Sequence, residues 1–174
     1  MEIRWRTGIG QDSHRFLPEE DSSGKVLVLG GVPLPGEPAL DGNSDADIIL
    51  HALCNAISSV SGVRILGDTA DRLCRRGIKD SAVYLAEALR TLDPAHNRSG
   101  RKYTLCGLAV SVEAARPKLA PYTEAIRINL AKLTGLDVHD VGITATSGEG
   151  LTAVGSGEGM ACICVIDVKE ERLG

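Results

Sequence analysis

Asp12, Ser13 and His14 set a carboxylate and an imidazole two positions apart, and a second imidazole follows at His51. On an extended segment side chains alternate between faces, so Asp12 and His14 share a side. His51 comes about two helical turns after Ser44, which points it the same way as the start of a helix capped there. One carboxylate and two imidazoles suit zinc or a similar divalent cation, with a fourth position left for water or a substrate oxygen. The residue types also admit a plainer arrangement, in which His14 ends a strand and His51 is a satisfied core histidine. Asp47 precedes His51 by one turn, placed either to orient that ring or to cap the helix.

Three segments could receive phosphate. Asn43-Ser44 precedes a helix start, where unpaired N–H groups and the macrodipole favour an anion, although Asp45 and Asp47 weaken that field. Thr144 to Gly150 (TATSGEG) follows a strand and gathers hydroxyls, glycines and Glu149, which could ligate a hard cation. It lacks the Gly-Lys-Ser/Thr of a P-loop, and Gly155 to Gly159 fails as a dinucleotide fingerprint because Met160 stands where the last glycine belongs. Arg116-Pro117-Lys118 is a small basic site just after a strand. A plain turn would account for the second segment and an exposed loop for the third, while a phosphate at the first would want a metal nearby. Cys162 and Cys164 alternate with apolar residues and read as core thiols. His96 and His139 read as solvated.

The elements that must carry these groups are mixed. Strands are expected over residues 2–12, 25–32, 102–114, 140–146 and 160–168. Pro33, Pro35, Gly36 and Pro38 read as a loop. Helices are expected from a Ser44 cap to Gly62, from Asp80 to Leu92, and over 121–134 with Gly135 closing the last. With no repeat or linker, residues 1–174 read as a single α/β (α+β) domain.

Composition narrows the functional classes. Hydrophobic residues make up 43% and charged residues 24%, enough apolar content for a folded core. A net charge of −4 argues against a nucleic-acid surface, and 3% aromatics against a base-stacking platform. No apolar run approaches a membrane span, and the charged start lacks a signal-peptide core. Five irregularly spaced cysteines fit a reducing compartment, so cytoplasmic localisation is expected, with neither nucleic acid nor membrane as partner.

Taken together, Gly8 to Phe16 (GIGQDSHRF), Leu29 to Val32 (LGGV), Asn43 to Ala52 (NSDADIILHA), Arg116 to Lys118 and Thr144 to Glu149 resemble the 2-C-methyl-D-erythritol 2,4-cyclodiphosphate synthase family. The similarity runs from about residue 3 to residue 168. It implies a mixed β-sheet with helices packed on one face, and a homotrimer with active sites between neighbouring chains. The implied substrate is 4-diphosphocytidyl-2-C-methyl-D-erythritol 2-phosphate, cyclised with release of CMP. Asp12, His14 and His51 match the zinc ligands, and Asp12 and His14 border the substrate. Ser44 matches a diphosphate contact. Lys118 matches a lysine on the cytidylyl side, supplied by the adjacent chain. Thr146 and Ser147 match threonines beside the nucleotide phosphates, Ser147 with a catalytic role. Glu149 matches the ligand of a second cation, magnesium or manganese.

Several positions depart from the family pattern. Asn43 stands where a histidine stabilises the transition state, and Asn55 replaces an aspartate one turn beyond the zinc histidine. An amide at Asn43 still donates a hydrogen bond in that catalytic position but carries no charge. The stretch that usually grips the methylerythritol has only Gly67-Asp68 as a remnant. Ala153 and Ser156 replace a phenylalanine and an arginine of a central isoprenoid cavity, so that site is not expected here. A non-catalytic trimer that binds a cytidine nucleotide or pathway metabolite, or a metal-dependent phosphohydrolase, are the alternatives.

Overall fold

The computed structural model describes residues 2–21 and 24–172. In chain order its elements are β1 (Glu2–Arg15), β2 (Leu27–Leu29), β3 (Val32–Leu34), α1 (Ile48–Ser61), α2 (Asp68–Arg75), α3 (Ser81–Arg90), β4 (Lys102–Glu113), α4 (Thr123–Thr134), β5 (Val141–Thr146) and β6 (Gly159–Arg172). The long strands form a four-stranded mixed sheet in the order β1-β6-β4-β5, with only β4 and β5 parallel.

Alternation decides which face of this sheet is covered. Met160, Cys162, Cys164, Ile166 and Val168 of β6 are all buried, as are Leu108, Val110 and Val112 of β4. α1 lies over that face against β1 and β6, α4 packs by β5, and α3 touches both helices, so the helical layer is on one side, as expected. Each fully buried leucine or isoleucine of α1, such as Leu50, Leu53 and Ile57, contributes about 1.5–3 kcal/mol. The opposite face keeps Ile3, Trp5, Ile9 and Ile163 exposed, Trp5 to 69%.

Two glycines set how closely α1 docks. A Cβ on Gly10 would lie 2.2 Å from the Ala52 carbonyl oxygen and 2.2 Å from the Ala56 nitrogen. One on Gly8 would lie 2.5 Å from the Ala56 carbonyl oxygen. The helix backbone therefore rests directly on β1, which no other residue type permits at those two positions.

Three local expectations are corrected. The cap of α1 is Asp47, not Ser44: its carboxylate accepts from Ile49 N at 3.1 Å and Leu50 N at 3.0 Å. The Ser44 hydroxyl instead accepts from Ala46 N at 3.1 Å, closing a small turn ahead of the helix. The segment around Pro33 is no loop but strand β3, paired with β2 across a Gly30-Gly31 turn in which both residues have positive φ. A diglycine fits that hairpin geometry, and proline is tolerated in a short edge strand. Helix α2, which the sequence reading left unassigned, forms between α1 and α3 with Asp68 and Asp71 in its first turn and Arg72 and Arg75 in its last.

Asp47 does more than cap. It also accepts from Gly30 N at 2.9 Å and Gly31 N at 2.6 Å, tying the β2-β3 turn to the start of α1. Burial pushes its carboxyl up to about 6, against the pull of those N–H groups. Asp47→Ala would orphan four backbone donors, and each buried unsatisfied group costs roughly 1–3 kcal/mol. A loss of at least about 3 kcal/mol is expected in urea denaturation. A loss below about 1 kcal/mol would show that water replaces the carboxylate there.

Candidate metal centre

The same alternation that turns Gly8 and Gly10 toward α1 turns Asp12 and His14 to that face, one and two steps further along β1. The close docking lowers the first turns of α1 onto them, and His51 arrives from that helix. Asp12 Oδ2 lies 3.1 Å from His14 Nε2 and 3.0 Å from His51 Nδ1. The three ligand atoms all sit within 4.8 Å of one another, the one such cluster among the described residues.

Electrostatics reinforce the cluster. Burial opposes ionisation of Asp12, but hydrogen bonds from His14 and His51 and their charge hold its carboxyl at about 2. The hydrogen bond to Asp12 raises His14 above the usual imidazole value, against its own burial. The other nitrogen of His14, Nδ1, meets the Asp41 carbonyl at 2.5 Å. A carbonyl can only accept, so Nδ1 carries a proton in any case, and a cation that replaced the Nε2–Asp12 hydrogen bond would find the Nε2 lone pair. One carboxylate and two convergent imidazole nitrogens fit a divalent cation of the zinc type.

One side of the triad opens into a cavity of about 230 Å³ between the start of α1, α2 and Tyr84. Asn43 and Ser44 line it, as the sequence reading placed them, and Ser44 Oγ lies 3.4 Å from His51 Nε2. Gly67, Asp71 and Cys74 also line it, and Cys74 Sγ donates to the Asn43 carbonyl at 3.2 Å. Gly67 was noted from sequence as part of a remnant of the methylerythritol-gripping stretch, whereas Asp71, Cys74 and Tyr84 were missed, since nothing in the sequence marks them. Asp47 does not orient His51: its carboxylate is taken up by backbone N–H groups. A larger groove of about 680 Å³, bordered by Phe16, Lys25 and Arg116, contains none of the triad.

The other candidate residues gather elsewhere. Lys118 is exposed in the loop after β4, and Thr146, Ser147 and Glu149 are exposed at the end of β5. Glu149 holds a left-handed backbone (φ 49°), and its carboxylate accepts from the Ser147 hydroxyl at 2.8 Å. Asp12 pairs with Cys162, Cys162 with Val112 and Val112 with Ala145, so one row of residues crosses the whole sheet. The triad and the Thr146–Glu149 turn thus lie at the same end but on opposite edges, about 14 Å apart at ordinary strand spacing. One chain does not bring them together. Cys162 and Cys164 are core thiols as expected, and His96 and His139 are exposed.

Comparison with known proteins identifies the family. The model of the YgbB family matches residues 5–169. The chain belongs to the YgbB family. Among curated relatives, the 2-C-methyl-D-erythritol 2,4-cyclodiphosphate synthase of Chlamydia muridarum is 47% identical over 167 residues, covering 95% of this chain and 89% of that protein. The synthase of Chlamydia felis is 47% identical over the same length, covering 95% and 90%. Among solved structures, the synthase of Plasmodium vivax superposes with a TM-score of 0.76 at 26% identity, covering 97% of this chain and 100% of that one. A synthase structure described as a bound form with CDP gives 0.74 at 28%, covering 94% and 99%. The bifunctional IspDF of Campylobacter jejuni gives 0.75 at 27%, and this chain, covered to 98%, spans 43% of that longer protein. The mixed α/β fold of this YgbB-family chain is therefore shared along nearly its whole length.

Proposed function

We propose that this YgbB-family chain converts 4-diphosphocytidyl-2-C-methyl-D-erythritol 2-phosphate into 2-C-methyl-D-erythritol 2,4-cyclodiphosphate and CMP, a step of isoprenoid biosynthesis. The observation that carries this reading is the convergence of Asp12, His14 and His51 beside an open cavity, in a chain nearly half identical to synthases of that name. In the reaction an oxygen of the 2-phosphate bonds to the β-phosphorus, the bond from that phosphorus to the bridging oxygen breaks, and CMP leaves with its electron pair. The nucleophile is already ionised, so no general base is needed, and a phosphorus–oxygen lyase of this kind works by positioning and charge neutralisation.

A cation in the triad, zinc on this reading, would neutralise phosphate charge as the two groups approach. Asp12 contributes one negative charge and the histidines none, so a divalent site stays net positive. Ser44 and Asn43 border the cavity where the diphosphate would lie, and the Asn43 amide can donate to it. Lys118, Thr146 and Ser147 would hold the cytidylyl phosphates, and Glu149 a second cation, magnesium or manganese.

Those two groups of residues meet only between chains. A homotrimer in which the β5 edge of one copy faces the β1 edge of the next would complete each site. The uncovered sheet face with Trp5, Ile9 and Ile163 supplies apolar surface for that packing. Among the described residues no helix is long and apolar enough to cross a membrane. All five cysteines are free, which fits the cytoplasm.

Pure protein given the cytidylyl substrate with zinc and magnesium, followed by phosphorus NMR, should yield cyclic diphosphate and CMP. CMP with linear phosphates would identify a phosphohydrolase instead. Unchanged substrate that still binds would identify a binding protein.

A further inference from the structure

The two nitrogens of His51 have different neighbours. Nδ1 faces Asp12 at 3.0 Å. On the far side of the ring, Nε2 lies 2.9 Å from the hydroxyl of Ser81, the first residue of α3, which is 0% exposed. Ser81 is itself gripped by Asp45. The Ser81 backbone N donates to Asp45 Oδ2 at 2.9 Å, and the Ser81 hydroxyl makes a short hydrogen bond to Asp45 Oδ1. Asp45 is in turn pinned by two backbone bonds: its N–H reaches the Lys79 carbonyl at 2.9 Å, and its Oδ1 accepts from Asp47 N at 3.2 Å.

Proton counting gives this chain a direction. A carboxylate can only accept, so the single hydroxyl proton of Ser81 is committed to Asp45. The Ser81 oxygen can then bond Nε2 only by accepting, which requires the proton on Nε2. With Nε2 protonated, a cation that takes the place of the Nδ1–Asp12 hydrogen bond finds the ring lone pair on Nδ1, the atom aimed at the centre. Ser44 is the other hydroxyl near Nε2, but at 3.4 Å it is the longer contact and already accepts from Ala46 N.

We infer that Asp45 and Ser81 form a buried relay that fixes His51 as its Nε2–H tautomer and so sets the affinity of the centre for its cation. The inference rests on the reading of Asp12, His14 and His51 as metal ligands. Ser81 and Asp45 are positioning residues, since neither reaches the cavity where substrate would lie. They act for His51 as the Asp41 carbonyl acts for His14. The His14 orienter belongs to the backbone, whereas the His51 orienter is a side chain and can be removed.

Outer partners of ligating histidines typically contribute 10–100-fold in metal affinity. Ser81→Ala should therefore bind zinc about 10–100-fold more weakly than wild type in a chelator-competition titration. Zinc-loaded wild type, labelled with nitrogen-15 in histidine, should show the His51 proton on Nε2, slow to exchange with water. In Ser81→Ala that proton should exchange freely. Equal zinc affinity in the two proteins overturns the relay while leaving the metal site standing, whereas a wild-type proton on Nδ1 overturns both, since that atom then cannot hold the cation. Wild type that binds no zinc at all overturns both. Should Ser81→Ala fail to fold, Ser81→Cys decides: a thiol is a poor acceptor, so zinc should again bind at least about 10-fold more weakly, and affinity equal to wild type overturns the relay.

Discussion

Asp12→Ala is expected to lose turnover and bound cation together. Asp12 is the one anionic member of the triad and the atom on which both imidazoles converge. Without it two neutral nitrogens remain, too few to hold zinc against water. Metal-assisted charge stabilisation is worth several kcal/mol, so kcat/KM should fall at least about a thousandfold, or roughly 4 kcal/mol. Zinc content by elemental analysis should fall from one per chain toward none. The folded core should survive, because Asp12 is half-buried and not among the buried apolar residues. Retained activity, or zinc retained at full stoichiometry, would remove the centre from its assigned place.

Gly10→Ala should damage the same centre from a distance. A methyl group there would sit 2.2 Å from two backbone atoms of α1, where ordinary contact needs about 3.4 Å or more. Neither atom belongs to a side chain that could rotate away, so strand and helix must separate. Overpacking of this kind typically costs 1–3 kcal/mol, and a backbone clash lies at or above the top of that range. Thermal unfolding should drop by about 10 °C for a chain of this size. His51 precedes Ala52 by one residue, so lifting the helix also lifts a ligand from Asp12, and zinc affinity should fall with stability. Gly142→Ala is the control: its Cβ would find nothing nearer than the Leu108 carbonyl oxygen at 4.0 Å. Similar behaviour of the two variants would mean that the close docking is not what holds the triad together.

Much of this was legible in the residues, and the remainder had physical reasons to be hidden. Long alternating strands and helices ended by Gly62 and Gly135 declare themselves, because period and left-handed caps are local properties. The triad was legible as a ligand set, since strand alternation puts Asp12 beside His14 without knowledge of the rest of the fold. The cap of α1 was misplaced because Ser44, Asp45 and Asp47 are all good caps, and only the pull of Gly30 and Gly31 on Asp47 decides among them. β3 was hidden by Pro33, a residue that marks turns far more often than edge strands. α2 is short and largely charged, so its two-sided pattern had little apolar signal. Ser81 could not have been singled out: one serine at a helix start gains its role only when folding brings it against a histidine thirty positions earlier. The separation of Lys118 from the triad was implied by the family resemblance alone, because residue patterns do not give the strand order that sets it.

The row that runs from Asp12 across Cys162 and Val112 to Ala145 has a genetic consequence on the intersubunit reading. Each copy then owns two unlike halves and lends one to each neighbour. A lesion at one margin spoils a site that the copy shares, while its opposite margin stays sound. Two different crippled chains, one lacking Asp12 and the other lacking Glu149, could assemble a working centre wherever their intact margins meet, so defects in this protein need not be inherited as simple losses.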